Sequence, residues 1–380
     1  MLPELSQEEI FRYARHLTIP EVGIEGQRKL KAASVLVVGT GGLGSPIALY
    51  LAGAGVGRIG LVDFDVVDTS NLQRQVIHDT QQLGRAKVES ARERMLALNP
   101  LVKVEIYNQA LTVENGDEIL SGYDVVLDGT DNMATRYLMN DLCVLQSKPY
   151  VYGSVYQFEG QAAVFDAQKG PCYRCIFKEP PPEESMPRGV QMGVFGALPG
   201  TIGTIQVAET IKLIIGAGET LTGSLLLYDA LNMNFHKLDV QKDPRCKVCG
   251  KQPVIRSVKD HPEEYRSEQA ISLPAEMYIE PAALQARLQR GEAIQLIDVR
   301  MPVEHKISSI TAARLIPLYQ LSTRLSELDN QRPLVLFSRE EYLSTKGAMI
   351  LLEAGYSDVK VLRGGINAWA RSVDRSLFQY

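Results

Sequence analysis

The sequence predicts an α/β fold built from two units, and three features of the chain support this prediction. Residues 34–65 alternate two short apolar runs with a glycine-rich turn and an alanine- and leucine-rich segment, which is the pattern of a strand–turn–helix–strand crossover. Two Cys-x-x-Cys pairs then occur within residues 172–249. After a polar stretch at 251–272, further apolar runs separated by helical segments predict a smaller α/β unit that extends to residue 380.

The composition argues against several classes of protein. With 380 residues, of which 45% are hydrophobic, the chain is long enough for two cores. Its 40 basic and 45 acidic residues give a net charge of -5, and no basic run occurs, which argues against a nucleic-acid partner. The stretch MLPELSQEEIF is not a charged and apolar leader, and no apolar stretch is long enough to span a bilayer. We therefore expect no membrane contact and a cytoplasmic location.

The crossover at residues 34–65 carries the strongest single motif. An apolar strand at 35–38 enters a G-x-G-x-x-G turn, and a helical segment follows over 47–54. A second strand, 59–62, ends at Asp63. Glycines allow backbone N–H groups to approach phosphates at the N-terminus of a helix, and the acid can accept a ribose hydroxyl. This context predicts a Rossmann-like nucleotide-binding domain. The glycines of the loop are Gly39, Gly41, Gly42 and Gly44.

Polar residues are dense in the connection that follows the second strand. Residues 63–78, DFDVVDTSNLQRQVIH, lie just past the C-terminal edge of that strand, where open α/β sheets bind ligands. Lys87 then begins a helical segment over 87–97. Another strand ends within 123–132, YDVVLDGTDN, where Asp131 is either the N-cap of the next helix or a magnesium ligand. The polar candidates in the first connection are Asp65, Asn71, Gln73, Arg74 and Gln75.

Residues 5–18 have the pattern of one amphipathic helix. Ser6 is its expected N-cap, and Glu9 completes a capping box. Arg12 and Arg15 lie three positions apart and share a face of this helix. From spacing alone, the favoured interpretation is a pair of solvated arginines.

Four of the five cysteines form the two Cys-x-x-Cys pairs, which in a reducing compartment indicates a metal rather than disulfides. Two matched pairs can close a tetrahedral zinc site between distant segments, and this is favoured over a redox-active pair. Such a site has no open coordination position, so we expect it to be structural. Its predicted ligands are Cys172, Cys175, Cys246 and Cys249.

The rest of the chain separates into a loop, a helix, a linker and the second unit. The proline- and glutamate-rich stretch 178–193 predicts a mobile loop over the site, and 199–216 predicts a buried helix. Residues 251–272 are polar and weakly patterned, which predicts a linker. The expected strands of the second unit are 296–300, 334–338 and 359–362.

These stretches together resemble the ubiquitin-activating superfamily over residues 1–250. The resemblance is closest to the ThiF/MoeB-like adenylyltransferases that activate sulfur-carrier proteins for molybdopterin, thiamine or thiolated-tRNA synthesis. It implies ATP and Mg²⁺ as cofactors. It also implies adenylation of the C-terminal Gly-Gly carboxylate of a small ubiquitin-like sulfur carrier, which gives an acyl-adenylate. The matching stretches are RYARHL, VLVVGTGGLGSP, LVDFDVVDTSNLQRQVIH, GRAKVESA, DVVLDGTDN and the two cysteine pairs.

The resemblance implies roles for individual residues. Gly42 matches the loop glycine at the phosphates, and Asp63 matches the ribose ligand. Arg74 and Lys87 match the side chains that hold the triphosphate, and Asp131 matches the magnesium aspartate. Cations and Mg²⁺ are chemically suited to this reaction, because a carboxylate that attacks a phosphate needs charge cancellation rather than a protein nucleophile.

Arg15 matches an arginine that reaches the ATP of a partner subunit, which revises its interpretation as a solvated residue and implies a homodimer. The remaining residues expected to bind the cofactors are Gly39, Gly41, Gly44, Asp65, Asn71, Gln75 and Asn132.

Residues 273–380 resemble a rhodanese domain through LIDVR, RLIPLYQL and VLRGGINAWA, but two positions depart from these families. Thioester-forming members of the first family carry a cysteine where this chain has Gly189, with Ser185 nearby. Rhodaneses carry a cysteine at the start of an anion-binding loop and an arginine at its end. Here the loop reads SREEYLS, with Ser338 in place of the cysteine and Leu343 in place of the arginine.

These departures predict a rhodanese-like domain that is catalytically degenerate. A serine hydroxyl cannot carry a persulfide, and Glu340 and Glu341 would repel an anionic substrate. Cys143, the only thiol outside the zinc pairs, lies in the apolar run LCVLQ and is expected in the core. We therefore expect the enzyme to stop at the acyl-adenylate and to rely on an external sulfur donor.

Two alternatives remain at this point. An NAD-dependent dehydrogenase would explain the glycine loop and Asp63, but not Arg74, Lys87, Asp131 or the cysteine pairs. A degenerate activator, whose rhodanese-like unit is a binding platform, is the second alternative. The intact set of ATP residues argues against a wholly inert protein.

Overall fold

The structure is a computed structural model that describes residues 2–179, 193–265 and 273–379. It divides into two compact units, 1–267 and 268–380. Ser185 and Gly189 of the predicted loop lie outside the described residues. Within the described part of the chain, no helix is both long enough and apolar enough to cross a bilayer.

The first unit is built on an eight-stranded sheet with the order β3-β2-β1-β4-β5-β6-β7-β8. The first five strands in this order run parallel, and the last three pair antiparallel. The predicted crossover therefore lies at the centre of the sheet. The strands are β1 Ser34–Val38, β2 Arg58–Asp63, β3 Lys103–Asn108, β4 Val125–Asp128, β5 Tyr150–Tyr156, β6 Glu159–Phe165, β7 Ser224–Asp229 and β8 Asn234–Asp239.

Helices cover the two faces of the sheet and also make up the N-terminal segment. They are α1 Gln7–Arg12, α2 Ala14–Leu17, α3 Gly23–Ala32, α4 Gly44–Ala54, α5 Lys87–Leu98, α6 Gly116–Ser121, α7 Met133–Leu145, α8 Tyr173–Ile176 and α9 Leu198–Ile215. Short 3-10 helices lie at Thr69–Asn71, Thr80–Gln82, Val258–Asp260 and Pro262–Tyr265.

The side chains of β1 explain why the sheet has a core on each face. Val35 and Val37 are fully buried in the cluster that includes α4 and α9, whereas Leu36 and Val38 point into the cluster that includes α7. Successive side chains of a strand face opposite sides, so an uninterrupted apolar strand is the pattern of a sheet covered on both faces. Each fully buried aliphatic side chain of this kind contributes about 1.5–3 kcal/mol to stability.

The predicted N-terminal helix over 5–18 is wrong in one respect, since it is broken at Tyr13 into α1 and α2. The Tyr13 side chain is buried, and its hydroxyl accepts a hydrogen bond from Nδ2 of Asn99 at 2.9 Å. The expected capping box is present, because Ser6 and Glu9 bond each other's backbone N–H groups.

The first part of the predicted linker, 251–265, is folded onto the first unit. Val258 is fully buried in the same cluster as α7, and the Tyr265 hydroxyl donates to Asp141 at 2.8 Å. The polar composition of this segment concealed the packing, because only a few of its side chains are buried against the first unit. The expectation of a linker over all of 251–272 is therefore corrected for 251–265.

The second unit has a five-stranded sheet with the order β11-β10-β12-β13-β9, and all neighbouring strands are parallel. Its strands are β9 Tyr278–Ile279, β10 Gln295–Asp298, β11 Arg314–Leu315, β12 Leu334–Phe337 and β13 Val359–Leu362. Its helices are α10 Pro281–Gln289, α11 Pro302–Ile307, α12 Leu318–Leu321, α13 Tyr342–Glu353 and α14 Gly365–Ser372, with 3-10 helices at Ala275–Met277 and Leu325–Glu327.

Candidate active site

The glycine loop begins where β1 ends and leads directly into α4. Gly39 has a φ of +91°, and a Cβ at this position would lie 2.6 Å from the carbonyl oxygen of Gly129. Only glycine fits this close approach between the loop and the chain that follows β4. The loop thus places the N-terminus of α4 at the carboxyl edge of the sheet, where a phosphate can approach backbone N–H groups.

Asp63 lies at the end of β2 and faces the glycine loop. One of its carboxylate oxygens accepts hydrogen bonds from the Thr40 N–H at 2.7 Å and from the Thr40 hydroxyl at 2.9 Å. The other oxygen accepts from the Asp65 N–H at 2.9 Å. These bonds fix the carboxylate beside the loop.

Lys87 is the first residue of α5, and its side chain is almost fully buried. Its Nζ lies 2.9 Å from a carboxylate oxygen of Asp65, and its N–H donates to the Asp65 carbonyl oxygen at 2.9 Å. Asp65 is half exposed, so the pair lies at the border between the core and the cleft. A buried ammonium group at this edge is positioned to compensate phosphate charge.

The connection after β2 brings two more predicted residues to the loop. The Thr69–Asn71 helix is followed by Arg74, whose Cγ lies 3.6 Å from the Cβ position of Gly42. The neighbouring Gln75 is 4% exposed and lies beside Gly41. Among the described residues, the buried Oε1 of Gln75 has no hydrogen-bond partner. Buried polar atoms rarely remain unsatisfied, so this atom marks a place where a ligand can supply a partner.

The structure excludes one of the two roles considered for Asp131. The N-cap of α7 is Asn132, whose Oδ1 accepts from the Thr135 N–H at 3.0 Å, so the N-cap alternative for Asp131 is wrong. Asp131 is exposed, and within the described residues no hydrogen bond or ion pair engages its carboxylate. Asp128, in contrast, is fully buried against Arg136, at 3.2 Å. Asp131 is therefore the carboxylate of this strand end that faces solvent.

Arg15 lies on α2 and is exposed. Within the described residues, no hydrogen bond or ion pair joins its side chain to the cleft. The chain around it is anchored, because the neighbouring His16 contacts Gln27 at 3.2 Å and Gln27 donates to the Ala54 carbonyl oxygen at 2.8 Å. Arg15 thus lies on α2, whereas the other predicted nucleotide-binding residues follow the strands β1, β2 and β4 of the sheet.

The four predicted metal ligands form one cluster. All four Sγ atoms lie within 4.8 Å of one another, with Sγ–Sγ distances of 3.4, 3.6 and 3.9 Å for three of the pairs. Zn–S bonds of about 2.3 Å in a tetrahedron require sulfur atoms about 3.8 Å apart. The Asp243 N–H also donates to the Cys175 sulfur at 3.3 Å, which favours a thiolate. The cluster fits a zinc ion held by Cys172, Cys175, Cys246 and Cys249.

A buried ion pair joins the cysteine cluster to α7, and sequence reasoning missed it. Arg174, between the first two cysteines, is 1% exposed and lies 2.8 Å from Asp141 of α7. The same guanidinium pairs with Glu264 at 3.0 Å. Pairing with Arg174 lowers the pKa of the Asp141 carboxyl group, but burial raises this pKa and has the larger effect. Nothing in the local sequence indicates that residues 33 positions apart pair in the core.

Comparison with protein families matches residues 13–248 to the ThiF family and residues 280–372 to the rhodanese-like domain. The chain belongs to the ThiF family. Its second unit is a rhodanese-like domain, as the resemblance implied. The fold class predicted from the sequence is confirmed by both matches and by the two sheets.

Several curated relatives match this member of the ThiF family over one or both of its units. "Probable adenylyltransferase/sulfurtransferase MoeZ" of Mycobacterium tuberculosis is 45% identical, over 99% of this chain and 96% of the relative. "Adenylyltransferase and sulfurtransferase MOCS3" of Mus musculus is 39% identical, over 99% of this chain and 88% of the relative. "Sulfur carrier protein adenylyltransferase" of Thermus thermophilus is 51% identical, over 67% of this chain and 96% of the relative.

A solved structure of E. coli MccB has the same fold, with a TM-score of 0.58 and 22% identity over 63% of this chain and 74% of that chain. This likeness supports the fold alone. The relatives that match almost the whole chain are named adenylyltransferases, and the chain is accordingly an adenylyltransferase of the ThiF family.

The rhodanese-like unit presents a different arrangement at the end of β12. Ser338 is 2% exposed; its hydroxyl donates to the Glu340 carbonyl oxygen at 3.0 Å and accepts from the Ser344 N–H at 3.3 Å. The Glu341 carboxylate accepts from the Gly364 N–H at 2.7 Å. A cavity of about 340 Å³ beside this loop is lined by Glu340, Glu341, Tyr342, Gly364, Asn367 and Arg371.

No cysteine occurs in residues 268–380, so this unit has no thiol for a persulfide. Cys143 is 1% exposed in the core of the first unit, as expected, and burial raises the pKa of its thiol. A buried thiol with a raised pKa is a poor nucleophile.

Proposed function

We propose that this ThiF-family enzyme adenylates the C-terminal carboxylate of a small ubiquitin-like sulfur carrier that ends in Gly-Gly, with ATP as the second substrate. The observation that carries this proposal lies at the carboxyl edge of the sheet, where Asp63 bonds the glycine loop and Arg74 lies against Gly42. Lys87 pairs with Asp65 just past β2, and the exposed Asp131 follows β4. The printed name of the Thermus thermophilus relative, a sulfur carrier protein adenylyltransferase, supports the same substrate class.

The reaction forms a bond between a carboxylate oxygen of the carrier and the α-phosphorus of ATP. The bond from that phosphorus to the bridging oxygen breaks, and pyrophosphate leaves with the electron pair, so no protein nucleophile and no redox step is needed. Lys87 and Arg74 would offset the charge of two reacting anions and hold the leaving pyrophosphate. The planar guanidinium of Arg74 is suited to phosphate oxygens because it donates two parallel hydrogen bonds.

The exposed carboxylate of Asp131 fits a magnesium site, since Mg²⁺ is held by one or two carboxylates together with substrate phosphates. When bound, the ion would screen phosphate charge. The binding roles of Gly42, Asn71, Gln75 and Asn132 are part of the same proposal; for Asn132 the side-chain oxygen is already used by the α7 cap.

The four cysteines form the proposed structural zinc site, because a closed thiolate site contributes folding energy and polarises no water. Metal analysis of protein purified without chelator should give one zinc per chain. Protein that is folded and active without zinc would refute the assignment.

We also propose that the enzyme works as a cytoplasmic homodimer in which Arg15 reaches the ATP of the partner subunit. Arg15 is exposed, and no hydrogen bond or ion pair to its side chain occurs among the described residues. Phe11 nearby is 88% exposed, which suits a surface covered by another subunit. Mixing inactive Arg15→Ala with inactive Asp131→Ala should restore part of the activity. No recovery, when subunit exchange is demonstrated, would place Arg15 outside the partner's site.

The product would be the carrier acyl-adenylate, which an external sulfur donor consumes in a molybdopterin, thiamine or thiolation pathway. The rhodanese-like unit would then serve as a platform for a partner. Ser338 supports this role, because its hydroxyl is engaged inside the loop and cannot hold sulfur. The "sulfurtransferase" in the relatives' names describes those proteins, and this chain lacks the thiol for that step in residues 268–380.

Pyrophosphate exchange into ATP, measured with candidate carriers, tests the proposed function. Exchange should require a carrier with an intact Gly-Gly terminus and should fall by about 10²–10³-fold in Asp131→Ala, the range for a lost electrostatic group. Asp260→Ala, which removes an exposed carboxylate elsewhere in the first unit, is the control. Exchange that persists in Asp131→Ala would remove this residue from the magnesium role.

A further inference from the structure

His78 ends the polar connection that carries Arg74 and Gln75, and neither its motif nor the proposed reaction gives it a role. Its side chain is 6% exposed, and both ring nitrogens have partners. Nε2 lies 3.1 Å from the carbonyl oxygen of Thr40, and Nδ1 lies 2.9 Å from the hydroxyl oxygen of Ser90. One imidazole therefore joins the glycine loop to α5.

The partners of His78 determine its tautomer. A carbonyl oxygen can only accept, so Nε2 must carry the proton that is donated to Thr40. In the neutral ring, Nδ1 then accepts a hydrogen bond, which the Ser90 hydroxyl can donate. Burial lowers the pKa of His78, and the nearby charge of Lys87 acts in the same direction. The ring is accordingly neutral at pH 7, with the proton on Nε2.

His78 lies at the junction of the two elements that would hold the triphosphate. On one side, the Thr40 N–H and hydroxyl bind Asp63, so the loop is tied to the predicted ribose ligand. On the other side, Ser90 lies three positions after Lys87 and shares its face of α5.

We propose that His78 is a positioning residue for adenylation, and that it sets the distance between the glycine loop and Lys87. This inference rests on the proposed function. The loop N–H groups and Lys87 are expected to contact phosphates of the same ATP molecule, so their spacing must match one ligand. A misplacement of about 1 Å can reduce a rate by about 10²-fold, which makes such a link more important than its contribution to stability.

Three variants test this role. His78→Leu removes both hydrogen bonds, His78→Gln retains a donor for the Thr40 carbonyl, and Ser90→Ala removes the donor to Nδ1. Met95→Ala is the control for stability, because Met95 is fully buried further along the same helix. All variants are compared by thermal unfolding and by kcat and KM for ATP in carrier-dependent exchange.

His78→Leu should lower kcat/KM by at least about tenfold more than Met95→Ala, with most of the loss in kcat. His78→Gln should recover part of this loss, and Ser90→Ala, which removes the bond from His78 to α5, should lose activity in the same direction as His78→Leu but by less. If His78→Leu loses no more activity than Met95→Ala of equal stability, His78 is a packing residue and the proposal is wrong.

The tautomer gives a readout that does not depend on activity. Nitrogen NMR of histidine-labelled protein, which contains five histidines, should show one buried neutral ring with the proton on Nε2. That signal should vanish in His78→Gln and shift in Ser90→Ala. A proton on Nδ1 would contradict the inference even if exchange is normal. Absent exchange in the wild type, with the expected tautomer, would instead contradict the proposed function.

Discussion

The cleft of the ThiF unit and the loop of the rhodanese-like unit have similar positions in their sheets, but they differ in how far their polar groups are hydrogen-bonded within the protein. Each follows a parallel strand and precedes a helix. In the cleft, Asp131 is unpaired among the described residues, and the buried Oε1 of Gln75 has no partner. In the loop, the Ser338 hydroxyl and the Glu341 carboxylate are both engaged by neighbouring groups.

The cleft therefore has polar groups that a ligand can bond, whereas the polar groups of the loop are already bonded to each other and to the backbone. Leaving a buried polar atom without a partner costs about 1–3 kcal/mol, so a ligand that bonds the Gln75 Oε1 atom would recover part of this cost. The Ser338 hydroxyl has partners on both sides, and Glu340 and Glu341 line the cavity beside the loop, where two carboxylates disfavour an anion. The comparison supports catalysis in the first unit, and the following experiments can strengthen or break it.

The largest expected effect concerns the buried ion pair that joins the cysteine cluster to α7. Arg174→Met leaves the buried Asp141 without its cation and should lower the free energy of unfolding of the first unit by about 3–5 kcal/mol. Urea unfolding measures this loss, with Arg245→Met, at an exposed position, as the matched control. A loss equal to that of the control would mean that the buried pair does not support α7.

A second prediction tests the cation of the cleft. Lys87→Met should lower carrier-dependent exchange by about 10²–10³-fold, because the charge is held near the expected phosphates in a buried position. Lys259→Met, at an exposed position of the first unit, should exchange like the wild type. Equal activity in the two variants would assign Lys87 to structure alone.

The pH dependence of stability tests the neutral state of His78. Its folded pKa is lowered below the usual 6.5, mainly by burial. The charge of Lys87 lowers this pKa further, whereas the charges of Asp63 and Asp79 raise it. The unfolded chain therefore binds more protons below pH 6.5, and stability falls as the pH falls through that value. The loss from one proton is limited to about 1.4 kcal/mol per pH unit. The wild type should lose more stability than His78→Gln between pH 7 and 5.5; equal losses would contradict a buried neutral ring.

The smallest effect is expected in the rhodanese-like unit. Ser338→Ala removes the loop hydrogen bonds and should cost this unit about 1 kcal/mol, without altering exchange. Thermal unfolding and the exchange assay measure the two quantities on the same protein. A tenfold loss of exchange in Ser338→Ala would show that the second unit takes part in adenylation and would overturn the contrast.

Prediction from the sequence succeeded where short patterns carry the information. The β1 strand, the glycine turn, Asp63 and the helix that begins at Lys87 are local features, and the structure contains all of them. The two Cys-x-x-Cys pairs were sufficient to predict the metal cluster, because few arrangements other than a shared metal site use two such pairs. The parallel order of the strands brought the candidate residues to one edge.

Contacts across the core could not be predicted in this way. His78 joins Thr40 to Ser90, and Arg174 joins Asp141 to Glu264, over separations that no local pattern encodes. The break at Tyr13 has the same origin, since its partner is Asn99. The folded part of 251–265 was concealed by its polar composition. These are long-range tertiary contacts, and they hold the predicted residues in place.

Intact-protein mass spectrometry of the enzyme incubated with ATP and carrier tests the central claim most directly, which is that adenylation needs no protein nucleophile. The account predicts carrier that has gained AMP, released pyrophosphate and enzyme of unchanged mass. A carrier–enzyme adduct that dithiothreitol removes, and that is absent in Cys143→Ala, would contradict it.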